Sequence, residues 1–446
     1  RKASLAPKMR PCRLRTGLVA TYQSSMTDPS TDPVAALREL FDTAVRHAAP
    51  AQTLVTHLPQ PPKGRTLVIA AGKAAASMAA ATERAWPADA ALSGIALTRY
   101  EHGEACERIE VIEAAHPVPD DRGFHAAQRI LADVAELSED DLLLCLISGG
   151  GSSLLAAPAE GITLDEKKAL NKALLMSGAP IGEMNAVRKH VSAIKGGRLA
   201  QLVSPAQVVT LAISDVPRDD PSTIASGPTV PDPTTLADAR NIIERYGIEL
   251  PISIAARLSS FDAETPKPDA AIFADTTLHM IATPGSVLRK TVDEMNGAWG
   301  TITSLGADLE GEACDVGRAH AMMAITAHGP TAIVSGGETT VTVNADAPSG
   351  RGGRNCEYLL ALAIALNGAD DIWAIAADTD GIDGSEDNAG AIVTPDTLAR
   401  AERIGMNPQE MLDGHDAYTF FERLGDLVMT GPTRTNVNDF RAIWIA

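Results

Sequence analysis

Three glycines, with serines on both sides, end a strand-like apolar run in the segment LLLCLISGGGSSLLAAP, residues 142–158. Glycine lets a backbone approach a bound anion closely, and unpaired N–H groups at a helix start point towards such an anion. The residues of this predicted anion cradle are Ser148, Gly149, Gly150, Gly151, Ser152 and Ser153. An ordinary strand-to-helix turn with a serine N-cap explains the segment alone equally well.

Two further segments place cations beside glycines where a helix is predicted to begin. Lys73 follows Gly72 in VIAAGKAAASM, where a cation opposes the helix dipole at a cost of about 0.3–1 kcal/mol that a bound anion would remove. Arg351 and Arg354 lie in SGRGGRNCEYLLAL, and guanidinium groups suit the oxyanions of phosphate or carboxylate. The alternatives are a lysine that reaches solvent and a solvated glycine loop with incidental arginines.

Carboxylates follow other strand-like runs. Asp215 ends VVTLAISD, at the carboxyl end where open α/β sheets bind ligands, and it could hold Mg²⁺ or accept a hydroxyl proton. The segment DVPRDDPS is equally suited to an ordinary turn. Asp378, Asp380 and Asp383 lie in ADTDGIDGSEDNAGA, whose spacing does not fit a calcium loop but leaves a magnesium contact or a cleft-lining loop open. The expected metal ligands are Asp215 and Asp380.

A local basic cluster occurs in EMNAVRKHVSAIKGGRLAQ, although Lys plus Arg number 38 against 57 Asp plus Glu and the net charge is −19. The pattern predicts one helix that Asn185 caps and Gly196 ends, with Arg188 and Lys195 on a shared face. A solvated helix face is the alternative. Near the C-terminus, GPTRTNVNDF supplies Asn436, which could position a ligand or form a turn.

Taken together, cations and glycines at helix starts and carboxylates at strand ends are typical of phosphoryl transfer, where positioning and charge stabilisation supply most of the catalysis. We find no Walker A motif, no GxGxxG fingerprint and no serine-histidine, flavin or metal pattern. The net negative charge argues against nucleic acid or an anionic membrane as a partner. No apolar run approaches the roughly 20 residues needed to span a bilayer.

Strand-like runs alternate with helical patterns, which predicts parallel strands with crossover helices and sheet faces that are both covered. We expect an α/β protein of two domains: a doubly wound N-terminal domain at 32–265 and a smaller C-terminal α/β domain at 330–446, joined by an α/β connecting region at 266–329. In the second domain, TAIVSGGETTVTV is predicted to form paired strands. Residues 1–27 are basic without an acid, and we expect a disordered extension, either a targeting segment or residues upstream of a start at Met26.

Eight segments, in order, resemble the class II glycerate 2-kinases, the MOFRL family. They are AAGKAAASM, LISGGGSSLLAAP, NAVRKHVSAIKGGRLA, ISDVPRDDPSTIASGPTVPDPTT, SGGETTVTV, GRGGRNCEYLLALA, DTDGIDGSEDNAGA and GPTRTNVNDF. The resemblance implies a Rossmann-like domain, a C-terminal MOFRL domain and an active site between them. It also adds Glu338 and Asn355 to the expected binding residues. Cys356 departs from the glutamine usual in the family, and Arg434 from a smaller or different residue.

The resemblance implies ATP-dependent phosphorylation of D-glycerate at its 2-hydroxyl with Mg²⁺, in a cytoplasmic enzyme whose partner is a small molecule. It places the catalytic lysine at Lys73, the aspartate at Asp215 and the critical arginine at Arg351 or Arg354, without deciding between the two. Two alternatives stay open: a hydroxypyruvate reductase, and a non-catalytic sensor of nucleotides or sugar acids. A homo-oligomer and a monomer are both compatible with the sequence.

Overall fold

Among the residues that the computed structural model describes, 26–295, 297–343 and 350–446, six strands form a parallel N-terminal sheet. The strands are β1 (Thr66–Ala71), β2 (Leu92–Arg99), β3 (Ile109–Ala114), β4 (Leu142–Ile147), β5 (Gln207–Ile213) and β6 (Thr276–Ala282). Their order is β3-β2-β1-β4-β5-β6, the strand order of a Rossmann sheet. Every residue of the central strands β1 and β4 is buried, as expected of a sheet covered on both faces. The predicted doubly wound domain is confirmed.

The helices of this half divide between the sheet and a separate apolar cluster. They are α1 (Pro33–Ala48), α2 (Pro50–Thr53), α3 (Ala75–Ala85), α4 (Asp121–Val134), α5 (Gly151–Leu154), α6 (Leu164–Met176), α7 (Ile181–His190), α8 (Arg198–Val203), α9 (Leu236–Arg245), α10 (Ile252–Ser259) and α11 (Pro284–Glu294). Helices α6, α7, α9 and α10 pack on each other through residues such as Leu170, Val187, Ile242 and Ile254. We call these four helices the helical cap.

The C-terminal half forms a mixed sheet whose order is β11-β10-β9-β12-β8-β7 within the described part of the chain. Its strands are β7 (Thr301–Ser304), β8 (Thr331–Gly337), β9 (Ile372–Asp378), β10 (Gly390–Val393), β11 (Leu427–Val428) and β12 (Asp439–Ile445). Its helices are α12 (Ala313–Thr326), α13 (Arg354–Leu366), α14 (Thr397–Arg403), α15 (Pro408–Asp413) and α16 (Ala417–Leu424). Only β7 and β8 pair in parallel; the other pairs are antiparallel. The predicted second, smaller α/β domain is confirmed.

Local predictions differ from the structure in several places. Residues after Gly337 form an isolated bridge, Glu312–Thr340, instead of the second strand predicted for TAIVSGGETTVTV, because β8 is already flanked by β7 and β12. The region 266–329 is shared between the sheets: β6 and α11 continue the first domain, and β7 and α12 begin the second. Of the predicted extension at 1–27, residues 1–25 lie outside the described residues.

The predicted helix over EMNAVRKHVSAIKGGRLAQ is wrong in its bounds. Helix α7 begins after Pro180 and ends at His190, so Asn185 lies inside it and Lys195 lies beyond it. The chain leaves the helix because the Ser192 hydroxyl accepts backbone N–H groups of the next residues, including that of Lys195 at 3.2 Å. Lys195 therefore does not share a helix face with Arg188.

The two sheets share one apolar cluster, in which α1 lies against both domains. Phe41 of α1 packs on Phe440 of β12 with ring centroids 6.4 Å apart. Polar contacts tie the same surfaces: the Thr435 hydroxyl donates to Ala48 O at 2.8 Å, and the Ser77 hydroxyl donates to Arg434 O at 2.6 Å. The C-terminal loop around residue 435 is thereby held against the N-terminal domain. Within the described part of the chain, none of the helices combines the length and the apolar composition of a membrane-spanning segment.

Candidate active site

The carboxyl ends of β1 and β4 lie side by side where the strand order reverses, which is where open α/β sheets bind ligands. Lys73 N donates to Gly149 O at 2.8 Å, so the loops after the two strands touch. Gly72 makes this approach possible, because it has a φ of +131° and a Cβ there would lie 2.5 Å from Ser148 O. The Ser148 hydroxyl accepts the N–H of Ala74 at 3.0 Å. The predicted cradle and the predicted catalytic lysine therefore form one joined pair of loops.

Lys73 connects the two domains through an ion pair with Asp380, whose Oδ2 lies 2.5 Å from the lysine Nζ. Burial lowers the pKa of Lys73, but the attraction of Asp380 and Asp378 outweighs it, and the net pKa is raised. Burial also raises the pKa of Asp380, yet the same lysine brings it below its ordinary value. Both groups are therefore charged at neutral pH, and a cation is held at the switch point of the first sheet.

Asp215 follows β5 and lies beside Lys73, with Asn436 of the C-terminal domain donating to its Oδ2 at 3.0 Å. Burial raises the pKa of Asp215 to about 6, against a smaller lowering by Lys73. A carboxylate with a pKa just below the operating pH is suited to accept a proton from a hydroxyl. Lys73, Asp215, Asp380 and Asn436, all predicted from the sequence, thus lie together where the two domains meet.

Gly149 is expected to be irreplaceable at this site. A Cβ on Gly149 would lie 1.9 Å from Asp215 Oδ2 and 2.5 Å from Asn436 Nδ2. We expect Gly149→Ala to displace Asp215 and to reduce kcat by about 10²-fold, the loss that a misplacement of about 1 Å can cause. Gly182→Ala is the matched control, since a Cβ there meets nothing within 4 Å. Steady-state rates of both variants provide the check, and equal rates would show that Gly149 has no positioning role.

Arg354 begins α13 and binds three carboxylates of the C-terminal domain. Its guanidinium lies 2.6 Å from Asp378 Oδ2, 2.9 Å from Asp439 Oδ1 and 2.7 Å from Glu338 Oε1. Burial alone would lower the pKa of Arg354, but the three carboxylates raise it above its ordinary value. Asp378 in turn accepts the N–H of Asp380 at 2.9 Å. Arg354 therefore supports the carboxylate that pairs with Lys73.

Arg351, the other predicted arginine, lies in a different environment. Its guanidinium pairs with Glu386 at 2.7 Å and lies over the ring of Tyr418, 4.0 Å from the centroid. Half of its side-chain surface is exposed (50%). The structure thus separates the two arginines and brings only Arg354 into contact with the network of Lys73.

Asp383 and Asn355 hold the start of α13. The Asp383 carboxylate accepts the backbone N–H groups of Asn355 and Cys356, each at 2.9 Å, which is the geometry of a helix cap. Asn355 donates from its side chain to Asp439 Oδ1 at 2.8 Å. These two predicted binding residues position Arg354, which begins the same helix.

The contrast between the arginines predicts different losses of stability. Arg354→Ala would leave the buried carboxylate of Asp378 without its ion-pair partner, which typically costs about 3–5 kcal/mol, whereas Asp439 would keep its pair with Arg441 at 2.6 Å. Arg351→Ala, the control, removes an exposed pair, and we expect a much smaller loss of the free energy of unfolding. Urea unfolding of both variants at neutral pH measures the difference. Equal losses would contradict the placement of Arg354 as the buried member.

A cavity of about 580 Å³ lies between the helical cap and the cradle. We call it the basic cavity, because none of the described residues that line it carries a carboxylate. The cations that line it are Lys167, Lys168, Lys172, Arg188 and Lys195. The Lys195 Nζ donates to Ser152 O at 2.7 Å and to Ser152 Oγ at 2.9 Å, which ties the cavity to the predicted cradle.

Burial disfavours the charged form of the lysines in this cavity. It lowers the pKa of Lys195 well below its ordinary value and that of Lys167 to about 8. Arg188 Nε donates to the neutral Asn171 at 3.1 Å. An arriving anion would supply the countercharge that no carboxylate among the lining residues provides, and it would favour the protonated form of these lysines.

Several residues of the basic cavity were missed by the sequence analysis. Lys167, Lys168 and Lys172 lie in LDEKKALNKALL, where lysines at i, i+1 and i+5 were a weak signal of a basic helix face. His116, in the segment AAHPVPD after β3, also lines the cavity. Burial and the nearby Lys73 lower the pKa of His116 to about 4, so its ring is neutral at pH 7. A strand end followed by histidine and prolines was the signal available for it.

The expected magnesium ligands fit unequally. Among the described residues, no group of three or more His, Cys, Asp or Glu side chains could hold a metal ion. Mg²⁺ at phosphates commonly needs only one or two protein carboxylates. Asp380 is already paired with Lys73, whereas Asp215 accepts from the neutral amide of Asn436. The residues therefore fit a nucleotide-bound Mg²⁺ through Asp215 better than through Asp380.

Two family models, several relatives and a solved structure match this chain, and together they cover most of its length. Residues 36–259 match a family described as a domain of unknown function, DUF4147, and residues 331–439 match the MOFRL family. The D-glycerate 2-kinase of Thermotoga maritima is 38% identical over 424 residues, covering 93% of this chain and 98% of the relative. A crystal structure of glycerate kinase from Thermotoga maritima has a TM-score of 0.82 at 37% identity and covers 94% of this chain and 100% of its own. A protein of Agrobacterium vitis, 54% identical over 92% of this chain and 94% of its own length, bears a provisional hydroxypyruvate reductase name.

Proposed function

Because the chain belongs to the class II glycerate 2-kinases, the MOFRL family, we propose that it phosphorylates D-glycerate at the 2-hydroxyl with ATP, giving 2-phospho-D-glycerate and ADP. The observation that carries the proposal is that Lys73 and Asp215 both lie against Gly149 at the switch point of the first sheet, where Asp380 and Asn436 of the second domain bind them. A buried cation beside a basic carboxylate is the minimum that transfer of a phosphoryl group to an alcohol requires.

In the proposed reaction, Asp215 accepts the proton of the glycerate 2-hydroxyl as the oxygen attacks the γ-phosphorus. The new O–P bond forms while the bond from the γ-phosphorus to the β,γ-bridging oxygen breaks, and ADP leaves. Lys73 neutralises charge on the transferring group, and Asp380 holds the lysine in place. Asn436 fixes the Asp215 carboxylate through its amide. Afterwards the proton on Asp215 passes to solvent.

Mg²⁺ would enter with the nucleotide and neutralise charge on its β- and γ-phosphates. Of the two expected ligands Asp215 fits the ion better than Asp380, but because the Asp215 carboxylate is the proton acceptor of the proposed reaction, the ion would be held chiefly by the phosphates and by water. Arg354 acts indirectly, through Asp378 and the loop that carries Asp380. We expect a cytoplasmic enzyme that acts on a small molecule.

The reductase alternative needs a dinucleotide fingerprint after β1. In this chain Gly72 is followed by Ala74 and Ser77 at the positions where GxGxxG continues with glycine. The Ser77 hydroxyl donates to Arg434 O, so a structural contact occupies the place of a close approach to pyrophosphate. The loop is therefore built for Lys73, and the reductase is the less favoured function.

A coupled assay separates the functions. We expect ADP to form from ATP and Mg²⁺ only when D-glycerate is present. In a second assay with NADH and hydroxypyruvate, and without ATP or D-glycerate, we expect the NADH to stay unoxidised. NADH oxidation without ATP would establish the reductase. Binding of ATP without turnover of D-glycerate would establish the sensor.

A further inference from the structure

We propose that the basic cavity is the nucleotide site: the triphosphate lies on its cations, the base lies on its apolar rim, and D-glycerate takes the Asp215 side of Lys73. The assignment rests on the proposed function, because it divides the two substrates of that reaction between two places. It also decides which anion the cradle around Ser152 receives.

The volume of the basic cavity suits a nucleotide better than it suits D-glycerate. The cavity measures about 580 Å³, within the roughly 300–1,000 Å³ typical of sites for drug-sized ligands. D-glycerate is a three-carbon acid and would leave most of this volume to water. A nucleoside triphosphate fills it.

The buried lysines of the basic cavity need a ligand that carries several negative charges. Lys167 and Lys195 are 6% and 1% exposed, and lysines are almost never buried to this degree without a charged partner. No carboxylate lines the cavity among the described residues, and the ion pair of Lys168 with the exposed Asp165 is long, at 3.9 Å, so most of the countercharge has to come with the ligand. One glycerate carboxylate would leave most of the surrounding cations uncompensated, whereas a triphosphate carries several negative charges.

The basic cavity also has an apolar rim, which suits the base of a nucleotide. Pro117, Val118, Pro119 and Leu175 line the same cavity as the cations. Val118 and Leu175 are large apolar side chains that remain 63% and 64% exposed. A planar base stacked between the segment of Pro117, Val118 and Pro119 and the side chain of Leu175 would remove that apolar surface from water, while polyphosphate alone would not.

The basic cavity lies next to the loop that contacts Lys73. Gly150 lines the cavity, and a Cβ on it would lie 3.5 Å from Lys73 Cγ. The wall of the cavity is thus the loop next to the catalytic lysine, and the terminal phosphate of a bound triphosphate would reach the lysine across Gly150. Other cavities near β8 are less suited: one of about 350 Å³ is lined by Asp308, Glu310 and Glu338, which repel polyphosphate.

The test compares Leu175→Asp and Lys172→Glu with Met176→Asp. Leu175 and Lys172 line the cavity and are exposed, so their replacement leaves the core of the cap intact. Met176 is the next residue, is 78% exposed and does not line the cavity. We expect the dissociation constant of ADP, measured by calorimetry, to rise at least about tenfold in the first two variants and to stay at the wild-type value in the third. The KM for D-glycerate at saturating ATP should change by less than about twofold.

These variants distinguish a nucleotide site from a hydroxy-acid site in the basic cavity. A raised KM for D-glycerate with unchanged ADP binding would assign the cavity to the hydroxy acid and overturn the inference. Normal ADP binding and normal KM in all variants would also overturn it, while wild-type turnover of D-glycerate would leave the proposed function standing. If the wild-type protein neither binds ADP nor phosphorylates D-glycerate, the proposed function itself fails.

Discussion

Lys73→Met is expected to reduce kcat for D-glycerate phosphorylation by about 10²–10³-fold, the usual effect of removing one preorganised group that stabilises transition-state charge. Lys73 is a cation whose charge acts on Asp215, and its ion pair with Asp380 joins it to the second domain. Methionine keeps the length and the packing of the side chain but removes the charge. Steady-state kinetics with purified protein gives the result, and we expect kcat to fall more than either KM changes.

A fall in rate could also come from lost stability, because Asp380 is buried and would be left unpaired at a typical cost of about 3–5 kcal/mol. The double variant Lys73→Met/Asp380→Asn removes both charges and should recover most of the free energy of unfolding without recovering kcat. Lys63→Met, a change at an exposed lysine paired with Asp140, is the surface control and should retain full activity. Near-normal turnover of Lys73→Met would remove Lys73 from the mechanism.

Asp215→Asn is expected to lower kcat by about 10²–10⁴-fold, the range that general acid–base catalysis contributes. The pH dependence is the sharper readout. Because protonated Asp215 cannot accept the hydroxyl proton, wild-type kcat/KM should fall about tenfold per pH unit below its pKa of about 6 and level off above it. The variant should lose this acid limb and show only its residual rate.

Asp219→Asn is the matched control, since Asp219 follows Asp215 in the same loop and its φ of +54° suits asparagine. Its pH profile should keep the acid limb of the wild type. If Asp215→Asn also kept that limb, another group would be the base.

The sequence was sufficient for the residues that follow buried parallel strands. Lys73, Ser148 and Asp215 closely follow β1, β4 and β5, and they lie near each other because the carboxyl ends of parallel strands meet at one edge of the sheet. The strands themselves were recognisable because both faces of the sheet are covered and the runs are almost entirely apolar.

The sequence was not sufficient where tertiary packing decides the neighbours. Arg351 and Arg354 are three residues apart in one glycine loop, yet Arg354 begins α13 and reaches Asp439 in the sheet, while the half-exposed Arg351 lies over the ring of Tyr418 in α16. The choice between them depends on the direction of α13, which local pattern does not encode. The family resemblance left the same choice open.

The basic cavity shows the same limit on the scale of a site. The lysines of α6 face Ser152 only because the helical cap packs through Leu170 and Val187 over the end of the first sheet. Lys195 reaches Ser152 from a turn beyond α7, although the sequence pattern predicted that it would lie on the helix with Arg188. The proximity of these cations depends on how the cap packs over the cradle, which the local sequence pattern does not encode.

The central claim, transfer of a phosphoryl group to the 2-hydroxyl of D-glycerate, is tested most directly by ³¹P NMR of the product formed from ATP, Mg²⁺ and D-glycerate. A phosphate ester on carbon 2 neighbours one proton and gives a doublet, and this is the result that we predict. A triplet, from an ester on the CH₂ group of carbon 3, or the absence of any new phosphate ester, would contradict the account.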